Sequence, residues 1–164
     1  MGSSRSQLHP DLVALAPLLG TWSGAGSGEY PTIRPFDYLE EVTFGHVGKP
    51  FLAYAPRTRA ADDGRPLHAE TGYLRAVAPD RVEWILAHPT GITEILEGQL
   101  TADAEQLQLE LQSTLVGRSG TAKTVAAVER SIDLRGDTLT YTLRMAAEGH
   151  PLQHHLAAVL HRSQ

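Results

Sequence analysis

At 164 residues the chain suits a single domain with a substantial core, and its formal net charge of −5 argues against an extended phosphate-binding surface. Hydrophobic residues make up 41% and charged residues 20%, ordinary proportions for a globular protein. There is no cysteine, which excludes disulfide scaffolds, zinc ribbons and thiol catalysis together, and no apolar run approaches membrane-spanning length. The expectation is a cytoplasmic protein that engages neither nucleic acid nor membrane.

Met1 to Ser6 formally fits an N-myristoylation pattern and reads more simply as a disordered leader ahead of one domain over residues 7–164. Gln7 to Leu19 reads as one short helix. Pro10 suits its first turn, and Leu12, Leu15 and Leu19 fall three and four apart on one apolar face. Pro17 shortens it or tightens its end, and Gly20 stops it. A G-x-W-x-G-x-G run follows, carried by Gly20, Trp22, Gly24 and Gly26. It lacks the preceding parallel strand and following long helix of a dinucleotide fingerprint. Its reading is structural: the glycines let a first strand bend and other backbone approach, and Trp22 closes one end of the fold. Tyr30 to Phe36 is too rich in proline for a central strand, so a loop or edge segment is expected; it offers the Thr32 hydroxyl and the Arg34 cation.

From Gly20 onward the periodicity is two. Val82, Trp84 and Leu86, then Leu107, Leu109 and Leu111, then Leu139, Tyr141, Leu143 and Met145 mark strands with one buried face. Turn signals stand between them at Asp62-Asp63-Gly64, Pro79-Asp80, Pro89-Thr90-Gly91, Asp103-Ala104 and Arg135-Gly136-Asp137. The spacing predicts about ten strands of roughly 8–12 residues in an antiparallel meander. Closing that sheet removes its edges, so the predicted fold is all-β: an up-and-down barrel of the lipocalin and fatty-acid-binding type with one short N-terminal helix. A barrel of this size has an interior wider than its side chains fill, hence a cavity. A flattened sandwich is the alternative, and the low aromatic content (6%) favours the barrel.

The last segment, His150 to Arg162, is an apolar run carrying His154, His155 and His161. On a regular strand His154 and His155 point to opposite faces, while His155 and His161 share a face roughly 20 Å apart, too far to chelate one ion. His9, His46, His68 and His88 look scattered, so a mononuclear zinc site is disfavoured, whereas a haem, which needs one axial histidine, remains open. Asp37, Glu40, Glu41, Glu94 and Glu97 alternate with apolar residues and are assigned mostly to outer strand faces. Arg118 and Lys123 sit in a Gly/Ser/Thr-rich connection, where Lys123 can pair with a carboxylate or simply be solvated.

Taken in order, several stretches resemble the nitrobindin family of haem-binding β-barrels, and its actinobacterial members most. They are the run from Gly20 to Gly26, Tyr30 to Phe36, Tyr38 to Val42, His46 to Pro50, Glu70 to Arg75, Gly91 to Ile95, and His155-Leu156 with the apolar segment behind it. The likeness covers nearly the whole chain. It implies a ten-stranded barrel holding one haem b per chain, with His155 as the axial iron ligand through which catalysis would run. Thr32 and Lys123 would be further haem-binding positions, Lys123 the more natural propionate partner. The activity it implies is conversion of peroxynitrite to nitrate by the ferric haem, that of a peroxynitrite isomerase, together with binding of nitric oxide, in detoxification or sensing of reactive nitrogen species. The residues themselves leave two other readings open: a haem-based nitric-oxide sensor or carrier without turnover, and a lipocalin-like carrier of a small apolar anion. A haem edge at the barrel mouth would leave room for a homodimer, although no residue pattern demands one.

Overall fold

The computed structural model describes residues 6–163; of the expected leader, residues 1–5 lie outside the described residues. The alternating segments fold as eleven strands: β1 (Gly20–Tyr30), β2 (Ile33–Gly45), β3 (Phe51–Ala60), β4 (Pro66–Ala69), β5 (Thr71–Ala78), β6 (Arg81–His88), β7 (Ile92–Ala102), β8 (Gln106–Arg118), β9 (Val125–Arg135), β10 (Thr138–Ala147) and β11 (Gln153–Arg162). Every pairing is antiparallel. Pairing of β1 with β11, from Trp22↔Arg162 to Gly28↔Leu156, closes the sheet into a barrel. β4 and β5 both pair with β3 and are separated only by Glu70, so they behave as one interrupted strand in a ten-strand ring.

Alternation decides what faces inward. Tyr38, Val42 and Phe44 on β2, Trp84 and Leu86 on β6, Leu107, Leu109 and Leu111 on β8, and Leu139 and Leu143 on β10 are all buried. Tyr30 to Phe36 is divided by a two-residue turn at Pro31-Thr32: Tyr30 ends β1 and Ile33 to Phe36 begin β2. Pro35 is tolerated because β3 pairs with β2 only from Tyr38 onward, leaving that side of Pro35 without a ladder.

One end of the barrel is plugged. Pro10–Leu18 is a 3₁₀ helix, whose three-residue turn stacks Leu12, Leu15 and Leu18 on one fully buried line. This corrects the expected face: Leu18, not Leu19, completes it, because the spacing is three throughout. Gly20, at φ +120°, then turns the chain into β1. The Trp22 indole N–H donates to Leu18 O at 2.8 Å, and the Arg162 guanidinium lies 4.2 Å over its ring. Arg162 also donates to Leu19 O and Pro17 O at 2.7 and 2.8 Å, satisfying carbonyls at the helix end. Gly24 is glycine by necessity, since a Cβ there would stand 2.1 Å from Val159 O on β11. A Cβ at Gly26 would meet the Tyr38 ring.

Candidate functional site: a cavity between one histidine and a buried charged cluster

The opposite end opens into a cavity of ≈ 1240 Å³, above the few hundred to about 1,000 Å³ usual for small-molecule sites. Phe36, Leu67, Ile92, Val128, Leu143 and Leu156 supply apolar wall, and His155 lies among them.

His155 reaches the cavity through an irregularity. Leu143 pairs with Leu156 while Arg144 pairs with His154, so the ladder skips His155 and β11 bulges there. Simple alternation therefore fails: His154 and His155 both line the cavity, whereas His161 is exposed beyond the bulge and does not share it. His155 Nδ1 lies 2.9 Å from Glu29 O, a geometry that requires Nδ1 to carry the proton and leaves Nε2 with its lone pair. Burial lowers the imidazole's pKa, partly offset by the Glu29 carbonyl, so the ring stays neutral. Tyr30 packs edge-on against the ring at 5.4 Å. The Tyr30 hydroxyl is fixed in turn: it accepts from Ala147 N at 2.8 Å and faces Met145 O at 3.1 Å. A neutral, oriented imidazole with one free nitrogen beside an apolar wall fits an axial haem ligand.

The other expected cofactor contacts stand at the rim. Thr32 is exposed at the β1–β2 turn and does not line the cavity, although its neighbours Ile33 and Arg34 do. Lys123 lies in the exposed connection after β8, outside the lining, with Nζ 3.9 Å from Glu148 Oε1.

Glu40 and Glu94, expected on outer faces, are buried inside the barrel at 6% and 3% exposure. Strand parity already carried that signal: Glu40 shares its face with Tyr38, Val42 and Phe44, and Glu94 with Ile92 and Leu96. The two are held differently. Arg130, buried on β9, donates through Nη1 and Nη2 to both oxygens of Glu70 at 3.0 and 2.8 Å and through Nη2 to Glu94 at 2.7 Å. Burial pushes both carboxyls up, but Arg130 and His88 together outweigh it, so Glu70 ends below the usual range and Glu94 at about 2. Glu40 has no such partner at contact. Burial pushes it up to about 7, although Tyr141 donates to its Oε2 and thereby favours the carboxylate. Tyr141 also meets the Tyr38 hydroxyl at 2.6 Å.

Two histidines that look scattered in sequence meet here. His68 Nε2 is 2.8 Å from His88 Nδ1, and His88 Nε2 is 3.2 Å from Glu94 Oε2 and 3.6 Å from Glu70 Oε2. The Glu94 contact does not meet hydrogen-bond geometry, which leaves His88 Nε2 without a hydrogen-bond partner. His68, Glu70 and His88 bring ligand atoms within 4.8 Å of one another. They make a poor cation site, because both Glu70 oxygens already bind the Arg130 guanidinium. Among the described residues no helix is long and apolar enough to cross a membrane.

The description "THAP4-like, heme-binding beta-barrel domain" belongs to the family whose model matches residues 11–162. A peroxynitrite isomerase of Nocardia farcinica is 65% identical over 155 residues, 94% of this chain and 92% of that protein. Peroxynitrite isomerase 2 of Mycobacterium avium is 61% identical over 97% of this chain and 99% of its own. The crystal structure of Rv2717c from M. tuberculosis superposes with a TM-score of 0.94 at 57% identity, covering 96% of this chain and all of that one.

Proposed function

The chain belongs to the THAP4-like haem-binding β-barrel family, and from that premise we propose that it is a peroxynitrite isomerase, converting peroxynitrite to nitrate on a ferric haem b. The observation that carries the reading is the state of His155: Nδ1 committed to Glu29 O, Nε2 free, and the ring neutral beside an apolar cavity. His155 would hold the iron through Nε2, one haem per chain, and Tyr30 packs edge-on against the imidazole and keeps it from turning. Bound there, haem supplies the chemistry on the O–O bond and an open coordination position that also takes nitric oxide. The protein's part is orientation and shielding. Leu67, Ile92, Val128, Leu143 and Leu156 line the cavity and would exclude bulk water from a bound haem. Thr32 and Lys123, at the solvent edge, are the partners proposed for its propionates, where a hydroxyl and an ammonium stay hydrated while meeting a carboxylate. The same proposal takes the cytoplasm as the place of this activity.

Titration with hemin should give a stoichiometric Soret band that His155→Ala shifts or loses. Catalytic amounts of the ferric protein should accelerate peroxynitrite decay in stopped flow. A decay rate independent of protein concentration would leave a haem-based sensor or carrier. Absence of any Soret response, with lipid recovered from the denatured protein, would select an apolar-anion carrier instead.

A further inference from the structure

The cavity has a second histidine face. Traversed in either direction, the ten-strand ring places β6 five strands from β11, so His88 stands diametrically across from His155. β4 follows β3 on the same side, and alternation points His68 and Glu70 inward together; both line the cavity with His88, Glu94 and Arg130. His68 is the member nearest solvent, exposed at the cavity, while the His88 side chain is 8% exposed and the Glu94 side chain 4%.

Electrostatics orders the protons along this row. His88 Nε2 faces two carboxylates at 3.2 and 3.6 Å, and a lone pair there would be repelled, so Nε2 carries the hydrogen. His88 Nδ1 is then an acceptor, and the 2.8 Å contact requires His68 Nε2 to donate to it. What remains is the lone pair of His68 Nδ1, on a side chain that lines the cavity. Behind it Glu70 and Glu94 carry two negative charges against one positive charge on Arg130, a net charge of −1 that favours an additional proton on His68. Burial opposes that proton and keeps the resting His68 neutral, with Glu70 pulling the other way. An anion entering the cavity tips this balance.

We propose that His68 receives the small anion bound across the cavity from His155, taking up one proton at Nδ1 as the anion enters and releasing it as the anion leaves. The assignment rests on the proposed function, since peroxynitrite and nitrate are both small monoanions. The proton comes from solvent and returns there, and no bond of the anion changes in the step. His88 and Glu94 are positioning residues that hold the tautomer and set the basicity of His68. At the same mouth Arg65 Nη1 lies 3.0 Å from Asp62 Oδ1 and 2.9 Å from Asp63 Oδ1, so its one positive charge is already shared between two carboxylates. Glu40, pushed up to about 7 by burial, also lines the cavity, as does the His154 imidazole, so any test must separate His68 from them.

Thiocyanate is a suitable probe for the ferric, haem-loaded full chain, because it stays an anion over the whole working range of pH. Its affinity, read optically, should rise about tenfold per unit fall in pH across the titration of His68, as uptake of one linked proton requires. His68→Leu should bind weakly and without that slope. Glu40→Gln should keep the slope, and Glu94→Gln should displace it to lower pH. An unchanged slope in His68→Leu, a slope lost in Glu40→Gln, or a pH-flat wild type overturns the role of His68 while leaving haem binding and turnover standing. Failure of the wild type to take up haem would instead defeat the proposed function itself. A second readout needs no cofactor: imidazole nitrogen NMR of the haem-free chain should find His68 and His88 both in the Nε2–H form. Finding either in the Nδ1–H form overturns the relay.

Discussion

The two ends of this barrel use the same alternating strands for opposite purposes. At the closed end inward positions are leucine, valine and tryptophan, and the Arg162 guanidinium covers the Trp22 ring and the helix carbonyls from outside. At the open end the same inward parity presents Glu40, Glu70, His88, Glu94 and Arg130 to a large cavity. An inward charged residue desolvates at a cost and contributes little net stability even when paired. The closed end holds the fold together, and the open end spends part of that stability on a polar floor.

Arg130→Met gives the hardest test of this contrast. It strands Glu70 and Glu94 without a cation and should destabilise by roughly 3–5 kcal/mol in denaturant titration. A loss below about 1 kcal/mol would mean that the floor is solvated rather than built. Leu15→Ala at the closed end should cost about 2–5 kcal/mol while leaving haem affinity of the folded fraction unchanged. If affinity fell in proportion, the ends would not be independent.

Glu40 makes the contrast depend on pH. Its folded pKa of about 7 exceeds the model-compound value of 4.5, so the native state binds the extra proton between those values. Its contribution is fully present below pH 4.5 and is lost as pH rises through 7. Glu40→Gln should therefore gain on the wild type at pH 8, by on the order of 1–3 kcal/mol, and not at pH 4. A gain equal at both pH values would assign the effect to packing. His155→Ala should lose the proposed iron ligand yet cost only about 0.5–1.5 kcal/mol in the haem-free chain, the worth of one hydrogen bond. Smallest of all, Thr32→Ala and Lys123→Ala should stay within about 0.5 kcal/mol of wild type and weaken haem only severalfold. Loss of haem binding in either would move the propionates inside the rim.

Much of the barrel was legible in the sequence, because period-two alternation and turn residues are local signals. Leu107 to Leu111 and Leu139 to Leu143 face inward as their spacing requires. The helix face was misjudged by one residue, since Leu18 and Leu19 are equally apolar and only the 3₁₀ winding chooses between them. The cavity site was legible in part. His155 stood out through family likeness, but its access to the interior depends on a bulge that no spacing rule anticipates. Glu40 and Glu94 were misplaced because charge was weighed above parity, although parity alone puts them inside. The meeting of His68 with His88, twenty residues apart on separate strands, follows only from the ring order.

The seam between β1 and β11 has a consequence for the nascent chain. Trp22 pairs with Arg162, so the barrel cannot close until the final strand has left the ribosome, and such distant pairing is slow to form. That strand also brings His155, and the carbonyl that orients it belongs to the first strand. A chain without β11 in place therefore lacks closure and the proposed iron ligand together, so haem capture would report a closed barrel.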